Sequence, residues 1–228
     1  GWPSPDGSRS TRAACASCPD LLGCTPPGSD RGVGPEGVPS LPVGRFVVFE
    51  GGEGSGKSTQ ARLLAEHWGA VLTFEPGATD IGARLRELLL DPATVDLDPR
   101  AEALLMAADR AQHVATTLRP ALLRGRDVVS DRYVGSSLAY QGHARGLGVE
   151  EIADLSAFAT DGLVPDLVVL LEVPPEESAR RMALAGAPDR MEAAGDDFHA
   201  LVREGYRMVA AHNLDRWVVL DGSGPVDE

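Results

Sequence analysis

A chain of 228 residues, 43% hydrophobic and 24% charged, is long enough to bury one α/β core, and its length alone makes a second domain unnecessary. The formal net charge of −13 repels nucleic-acid backbones and anionic membranes, so a nucleic acid polymer is excluded as a general partner and any phosphate must be met by a local basic pocket. The longest apolar run, 167–171, falls far short of the roughly 18 residues a membrane span requires, and no signal peptide is visible; the expectation is a soluble cytoplasmic protein with no membrane contact.

Residues 1–43 are rich in Gly, Pro and Ser, contain Pro-Pro, Pro-Gly and Gly-Ser pairs, and show no apolar period, which reads as a disordered linker. All three cysteines, Cys15, Cys18 and Cys24, fall in it. The remainder can therefore form no disulfide and suits a reducing compartment. The Cys15–Cys18 spacing could hold a metal, but a fourth ligand and a nearby histidine are missing, so an unstructured tail is the simpler reading. The domain begins at 44 and runs to 228.

From Phe46 the pattern changes to Phe-Val-Val-Phe, a continuously apolar run suited to a parallel strand covered on both faces. Further buried strands are expected at 70–74, 127–130, 167–171 and 217–220. Helical spacing is expected over 58–68, 81–90, 100–124, 149–160, 175–184 and 197–213. This alternation predicts an α/β fold, a doubly wound parallel five-stranded sheet flanked by helices, with ligands at the carboxyl ends of the strands.

Directly after the first strand stands Gly51-Gly52-Glu53-Gly54-Ser55-Gly56-Lys57-Ser58-Thr59, which satisfies G-x4-G-K-[ST] between a strand and a helix. Glycines let backbone N–H groups turn inward around a phosphate, and the helix N-terminus adds partial positive charge. Lys57 is placed to reach the β- and γ-phosphates of ATP. The Ser58 hydroxyl suits Mg²⁺. The motif identifies a nucleoside triphosphate site without fixing the reaction; a guanine-reading N-K-x-D is absent from the sequence, which argues against a GTPase switch. Farther on, Asp131-Arg132 follows Val128-Val129, placing a carboxylate and a guanidinium at a strand's carboxyl end. Asp131 can steer the metal, and Arg132 can grip a phosphate and offset charge on the transferring group.

Several segments resemble thymidylate kinases of the bacterial kind: Phe49-Glu50-Gly51, Glu75-Pro76-Gly77, Arg86-Glu87-Leu88-Leu89-Leu90, Ala107-Ala108-Asp109-Arg110, Asp131-Arg132-Tyr133, Ser136-Ser137-Leu138-Ala139-Tyr140-Gln141-Gly142 and Pro165-Asp166-Leu167. The resemblance spans about 45–221 and implies transfer of the γ-phosphate of ATP to dTMP with Mg²⁺. It implies that Arg110 meets the thymine carbonyl, that Ser137 and Gln141 complete the contacts to the base, and that Tyr140 packs by the sugar. It places Glu75 in the acceptor pocket and gives the monophosphate to Arg86 and Arg132. Glu53 would contact the acceptor's sugar or reacting phosphate. Pro174–Met182 and Gly186–Glu192 resemble the family's mobile lid, which would supply Arg180 or Arg181 at the ATP end and Arg190 as a catalytic group at the substrate end.

The chain departs from the family pattern in three places: Phe74 replaces an arginine, Met106 replaces the phenylalanine that stacks on thymine, and Ala183-Leu184-Ala185 replaces lid arginines. These changes keep two alternatives open, a kinase of another pyrimidine deoxynucleotide and a catalytically weak nucleotide-binding module. The family adds a helix after the last strand, whereas here the sequence stops soon after Asp221 and starts without Met; a domain lacking its last helix, part of a longer polypeptide, is the expectation. A homodimer using the alanine-rich helix after Arg100 is a further implication of the resemblance.

Overall fold

The computed structural model describes residues 43–226. The expected linker and its cysteines lie outside the described residues, apart from Val43. Five strands form one wholly parallel sheet: β1 (Phe46–Glu50), β2 (Val71–Phe74), β3 (Val128–Asp131), β4 (Leu167–Glu172) and β5 (Trp217–Asp221), in the order β2-β3-β1-β4-β5. All five strands expected from the sequence are present, with ends within a residue or so. Their apolar runs are short, uninterrupted and bounded by charge or turn residues, which leaves little freedom in placing them.

β1 shows why its run does not alternate with polar residues. Phe46 and Val48 pack on one side with Val128, Val168, Leu118 and Leu122. Val47 and Phe49 pack on the other with Val129, Val169, Ala61 and Ala65. Since successive side chains point to opposite faces, a strand with both faces in the core must be apolar throughout.

Helix α1 (Lys57–Trp68) leaves the phosphate loop and ends at a left-handed Gly69. α2 (Asp80–Leu90) is capped by the Thr79 hydroxyl, and α3 (Pro99–His113) by Asp98, with Pro99 at its first position, where a missing N–H costs nothing. The helix expected over 100–124 is instead three pieces: α3, a π-helical turn Val114–Leu118, and α4 (Arg119–Leu123). Pro120 is the physical reason. It cannot donate to the ladder, and the widened turn immediately before it re-seats the chain, with the Arg119 N–H bonded to the Val114 carbonyl.

The sequence reading assigned no helix to 134–144, yet α5 (Val134–Ser137) runs into a second π-helical turn, Leu138–Ala144. Gly135, Ser136, Ser137 and Gly142 look like breakers in isolation; in the fold their smallness is what is needed. A Cβ at Gly135 would stand 2.7 Å from the Trp217 ring and 2.8 Å from Glu50 Oε1. The remaining helices are α6 (Val149–Thr160), α7 (Pro175–Ala185) and α8 (Asp196–Ala211). No described helix is long and apolar enough to cross a membrane.

Candidate active site

The glycine-rich segment forms a loop between β1 and α1 at the carboxyl end of the central strand. Gly54 carries φ 68°, and a Cβ there would lie 2.9 Å from the Ser178 carbonyl oxygen, so both backbone conformation and space demand glycine. α7 therefore sits directly on the loop: Ser178 Oγ donates to the Glu53 carbonyl at 2.7 Å, and Arg181 donates to the Gly54 carbonyl at 3.2 Å and the Gly222 carbonyl at 3.0 Å. Arg180, expected beside Arg181 at the ATP end, turns to solvent and pairs with Glu177 at 2.7 Å. Adjacent positions on a helix point about 100° apart, so only one of the two can face the loop.

Lys57 is buried, donates to the Gly52 carbonyl at 3.0 Å and lies 3.8 Å from Glu53 Oε2. Burial, and then the nearby Arg132 charge, lower its pKa from the ordinary lysine value. The Ser58 hydroxyl donates to Asp131 Oδ2, while Asp131 Oδ1 is buried without a protein partner among the described residues. Ser55 Oγ is similarly orphaned. Gly51, Gly52, Gly56 and Thr59 complete the loop.

Arg132 adopts φ 73°, a conformation that is uncommon away from glycine. From there its guanidinium donates to the Gly51 carbonyl at 3.2 Å, to Ser136 Oγ and Tyr206 OH at 3.1 Å each, and to Glu53 Oε1. Tyr140 OH donates to the same Glu53 oxygen at 2.8 Å. Burial opposes ionisation of Glu53, but Arg132 and then Lys57 outweigh it and hold the carboxyl at about 2. Beneath this cluster Glu50 is wholly buried and accepts from Tyr133 N, Ser136 N, Ser136 Oγ and Tyr206 OH, at 2.6–3.1 Å. Sequence reasoning gave Glu50 no separate role; a carboxylate closing an otherwise apolar buried strand was the available signal.

A cavity of about 220 Å³ opens beside Lys57 and Ser58 and is lined by Glu53, Glu75, Arg86, Met106, Arg110, Asp131, Arg132, Tyr140 and Gln141, among others. Arg110 is fixed on three sides, donating to Glu75 Oε2 at 2.8 Å, Ser137 Oγ at 3.1 Å and the Tyr133 carbonyl at 3.0 Å. Glu75 is steadied in turn by His113 Nδ1 at 2.9 Å, and His113 Nε2 meets Thr73 Oγ1 at 2.6 Å. Arg86 bonds the Pro76 carbonyl at 2.7 Å, and its guanidinium stands 5.7 Å from the centroid of the Phe74 ring. The phenylalanine that departs from the family pattern thus props Arg86 at the cavity. A larger cavity of about 560 Å³ lies between the loop, β4, α7 and α8, with Glu53 bordering both.

Arg190 is not where the sequence reading placed it. Instead of entering the cavity, it donates to the Leu89 carbonyl at 2.7 Å and to Glu102 Oε2 at 2.7 Å. Glu102 is 1% exposed and also receives Gln141 at 2.8 Å and Arg145 at 3.3 Å. A carboxylate removed from water requires such partners, and that demand claims the arginine.

Asp109, on α3, forms no salt bridge among the described residues. Its Oδ1 accepts from Gly77 N at 3.0 Å, and its Oδ2 is buried without a partner among the described residues. Burial, then repulsion from Glu75, push it up from 3.8 to about 6, although His113 and Arg110 pull the other way. The folded state binds this proton more tightly than the unfolded chain. Stability therefore falls as pH rises from about 4 to 6, and the full cost is present above that. Asp109→Asn is expected to melt at a higher temperature than the wild type at pH 7.5 and to lose that advantage below pH 4; equal differences at both pH values would contradict it.

Lys57, at the start of α1, faces a cavity whose far wall is arginine and glutamine, so a triphosphate on the loop and a smaller phosphorylated acceptor can meet end to end. That is the design of the P-loop nucleoside monophosphate kinases. The sequence profile of the thymidylate kinases matches residues 49–228. A thymidylate kinase of Leifsonia xyli is 50% identical over 200 residues, covering 84% of this chain and 93% of that protein; one of Cutibacterium acnes is 50% identical over 184 residues, covering 78% and 88%. The crystal structure of a thymidylate kinase from Ehrlichia chaffeensis superposes with a TM-score of 0.66 at 31% identity, covering 78% of this chain and 93% of that one. The chain belongs to the thymidylate kinase family.

Proposed function

We propose that the chain transfers the γ-phosphate of ATP to dTMP, giving dTDP and ADP. The observation that carries this reading is the continuity of one cavity from Lys57 and Ser58 to Arg86, Arg110 and Gln141. ATP lies with its β-phosphate in the loop 51–59, Lys57 on its β- and γ-oxygens and Arg181 at the loop's outer side. Arg86 and Arg132 hold the acceptor's phosphate, Arg110, Ser137 and Gln141 hold the base over Met106, and Tyr140 supports the sugar. Glu53 orients Arg132 and Tyr140 and borders the acceptor's reacting end.

The acceptor oxygen is already anionic near neutral pH, so no general base is required; alignment and charge neutralisation are the work of the site. The orphaned Asp131 Oδ1 beside the Ser58 hydroxyl fits one hard cation, and the described residues contain no cluster of three or more ligating side chains. Such a site suits Mg²⁺, which keeps waters and phosphate oxygens as its other ligands. When bound, Mg²⁺ would neutralise charge on the phosphates. The segment 174–192 acts as a lid over the ATP phosphates. We also read residues 44–228 as one cytoplasmic domain that pairs with a second copy, for which exposed Leu88 on α2 and Leu104 on α3 supply apolar surface.

The test is Mg²⁺-dependent ADP formation from ATP with dTMP, dUMP, dCMP, dGMP or UMP. Strong stimulation by dTMP, abolished by EDTA, is the expected result. Equal stimulation by every acceptor, or by none, would overturn the reading.

A further inference from the structure

Gln141 is one of the groups that face the acceptor, and an amide presents either an acceptor oxygen or a donor nitrogen. Which one it presents decides what base can lie against it. In the structure its Nε2 donates to Glu102 Oε1 at 2.8 Å, and its Oε1 has no donor among the described residues. Glu102 is the reason the amide cannot turn over. Its other oxygen takes Arg190 at 2.7 Å and Arg145 at 3.3 Å. Burial works against its ionisation, but hydrogen bonds from Gln141 and Arg190, with the charge of Arg145, outweigh it and keep the carboxyl below its ordinary value. An ionised carboxylate has no proton to donate, so it must be met by the amide N–H. The Gln141 oxygen is therefore held toward the cavity.

We infer that Glu102, which lies outside the cavity lining, is a positioning residue that sets the class of base accepted: through Gln141 it presents a fixed hydrogen-bond acceptor beside the Arg110 donors. That pair complements a base carrying an imide N–H next to a carbonyl, as thymine and uracil do. Cytosine reverses both groups, setting an acceptor against the Gln141 oxygen and an amino group against Arg110. Buried polar groups left unpaired in this way penalise the wrong ligand by orders of magnitude. Arg145 and Arg190 serve the same end by keeping Glu102 charged, which gives Arg190 a role away from the transferring phosphate. The inference rests on the proposed acceptor chemistry.

Its test compares kcat and KM for dTMP and dCMP in the wild type, E102Q, Q141E and the swap E102Q/Q141E, with KM for ATP and the thermal shift on adding each monophosphate measured alongside. A glutamine at 102 can donate or accept, so the Gln141 amide becomes free to flip. In E102Q the dTMP:dCMP ratio of kcat/KM is expected to fall at least about tenfold, mainly through KM for dTMP, with KM for ATP unchanged. Q141E, which sets two carboxylates together, is expected to lose the preference too. The swap keeps the shape and charge of the pair and again directs an acceptor oxygen into the cavity, so it should recover much of the preference. An unchanged ratio in E102Q, or a swap no closer to the wild type than the single variants, would overturn the inference. If neither single variant folds, a folded swap that keeps the preference supports it and one without preference overturns it. A wild type that turns over no dTMP would sink the proposed reaction, while the thermal shifts would still show whether Glu102 governs the choice of base.

Discussion

Lys57→Ala is expected to lower kcat for phosphoryl transfer to dTMP by about 10³-fold, the scale on which a single charge-stabilising group counts in such reactions. The ammonium is held by the Gly52 carbonyl and lies close to Glu53, so it is already aimed before nucleotide arrives. Charge spreads over the γ-phosphate oxygens during transfer, and a prepositioned cation there needs no reorganisation at that moment. Truncation removes that charge and leaves Glu53 with Arg132 as its remaining close cation. Steady-state kinetics with a thermal melt on the same preparation checks this. A loss below tenfold in a folded variant would show that Lys57 does not serve the transferring group.

Arg132→Met is expected to damage both activity and stability. The guanidinium ties together Glu53, the Gly51 carbonyl, Ser136 and Tyr206, and removing one partner of a buried ion pair typically costs about 3–5 kcal/mol because the other charge is stranded. On the proposed reading the same change also takes a donor from the acceptor's phosphate, so kcat/KM for dTMP should fall by ~10²–10³-fold. The pH dependence carries a definite sign. In the wild type the Glu53 carboxyl is lowered from 4.5 to about 2, so its contribution to stability is present above the unfolded value and is lost as pH falls through the folded one. Without Arg132 the Glu53 pKa rises, and protonation relieves the stranded charge at higher pH. The stability gap between the two proteins should therefore narrow as pH drops from about 4.5 to 2, measured by denaturant melts; a constant gap would mean that Glu53 is not the group left unpaired.

The strands and the phosphate loop were legible because each depends on a short contiguous pattern. Phe46–Phe49 is apolar throughout only because both faces of β1 are covered, and the G-x4-G-K-[ST] spacing is itself the geometry of the loop. What the sequence concealed depends on burial. Glu102 sits in the first turn of α3, where an acidic residue is ordinarily a solvated complement to the helix dipole; nothing local announces that it is enclosed by Arg145 and Arg190. The misplacement of Arg190 follows from that, since a lid arginine is drawn to a catalytic reading unless the competing carboxylate is known. Likewise, α5 and the π-turn after it carry no local helical signal, because glycine disfavours a helix by propensity while close packing against Trp217 and Glu50 is what requires it at Gly135.

The central position of β1 has a consequence for biosynthesis. Its two neighbours are β3 and β4, and the Phe46 amide closes on Asp166, 120 residues later in the chain. At ~5–20 residues per second, a ribosome needs roughly 6–24 s to supply those residues. Until β3 is made Phe-Val-Val-Phe has neither of its hydrogen-bonding neighbours, and from then until β4 follows it has only one; an uncharged β-forming stretch with an open edge is the kind of segment that recruits other chains. The most tightly enclosed strand of the finished enzyme is thus the one longest at risk while it is being made, and the nascent chain's need for chaperone cover is set by strand order, not by the stability of the final fold.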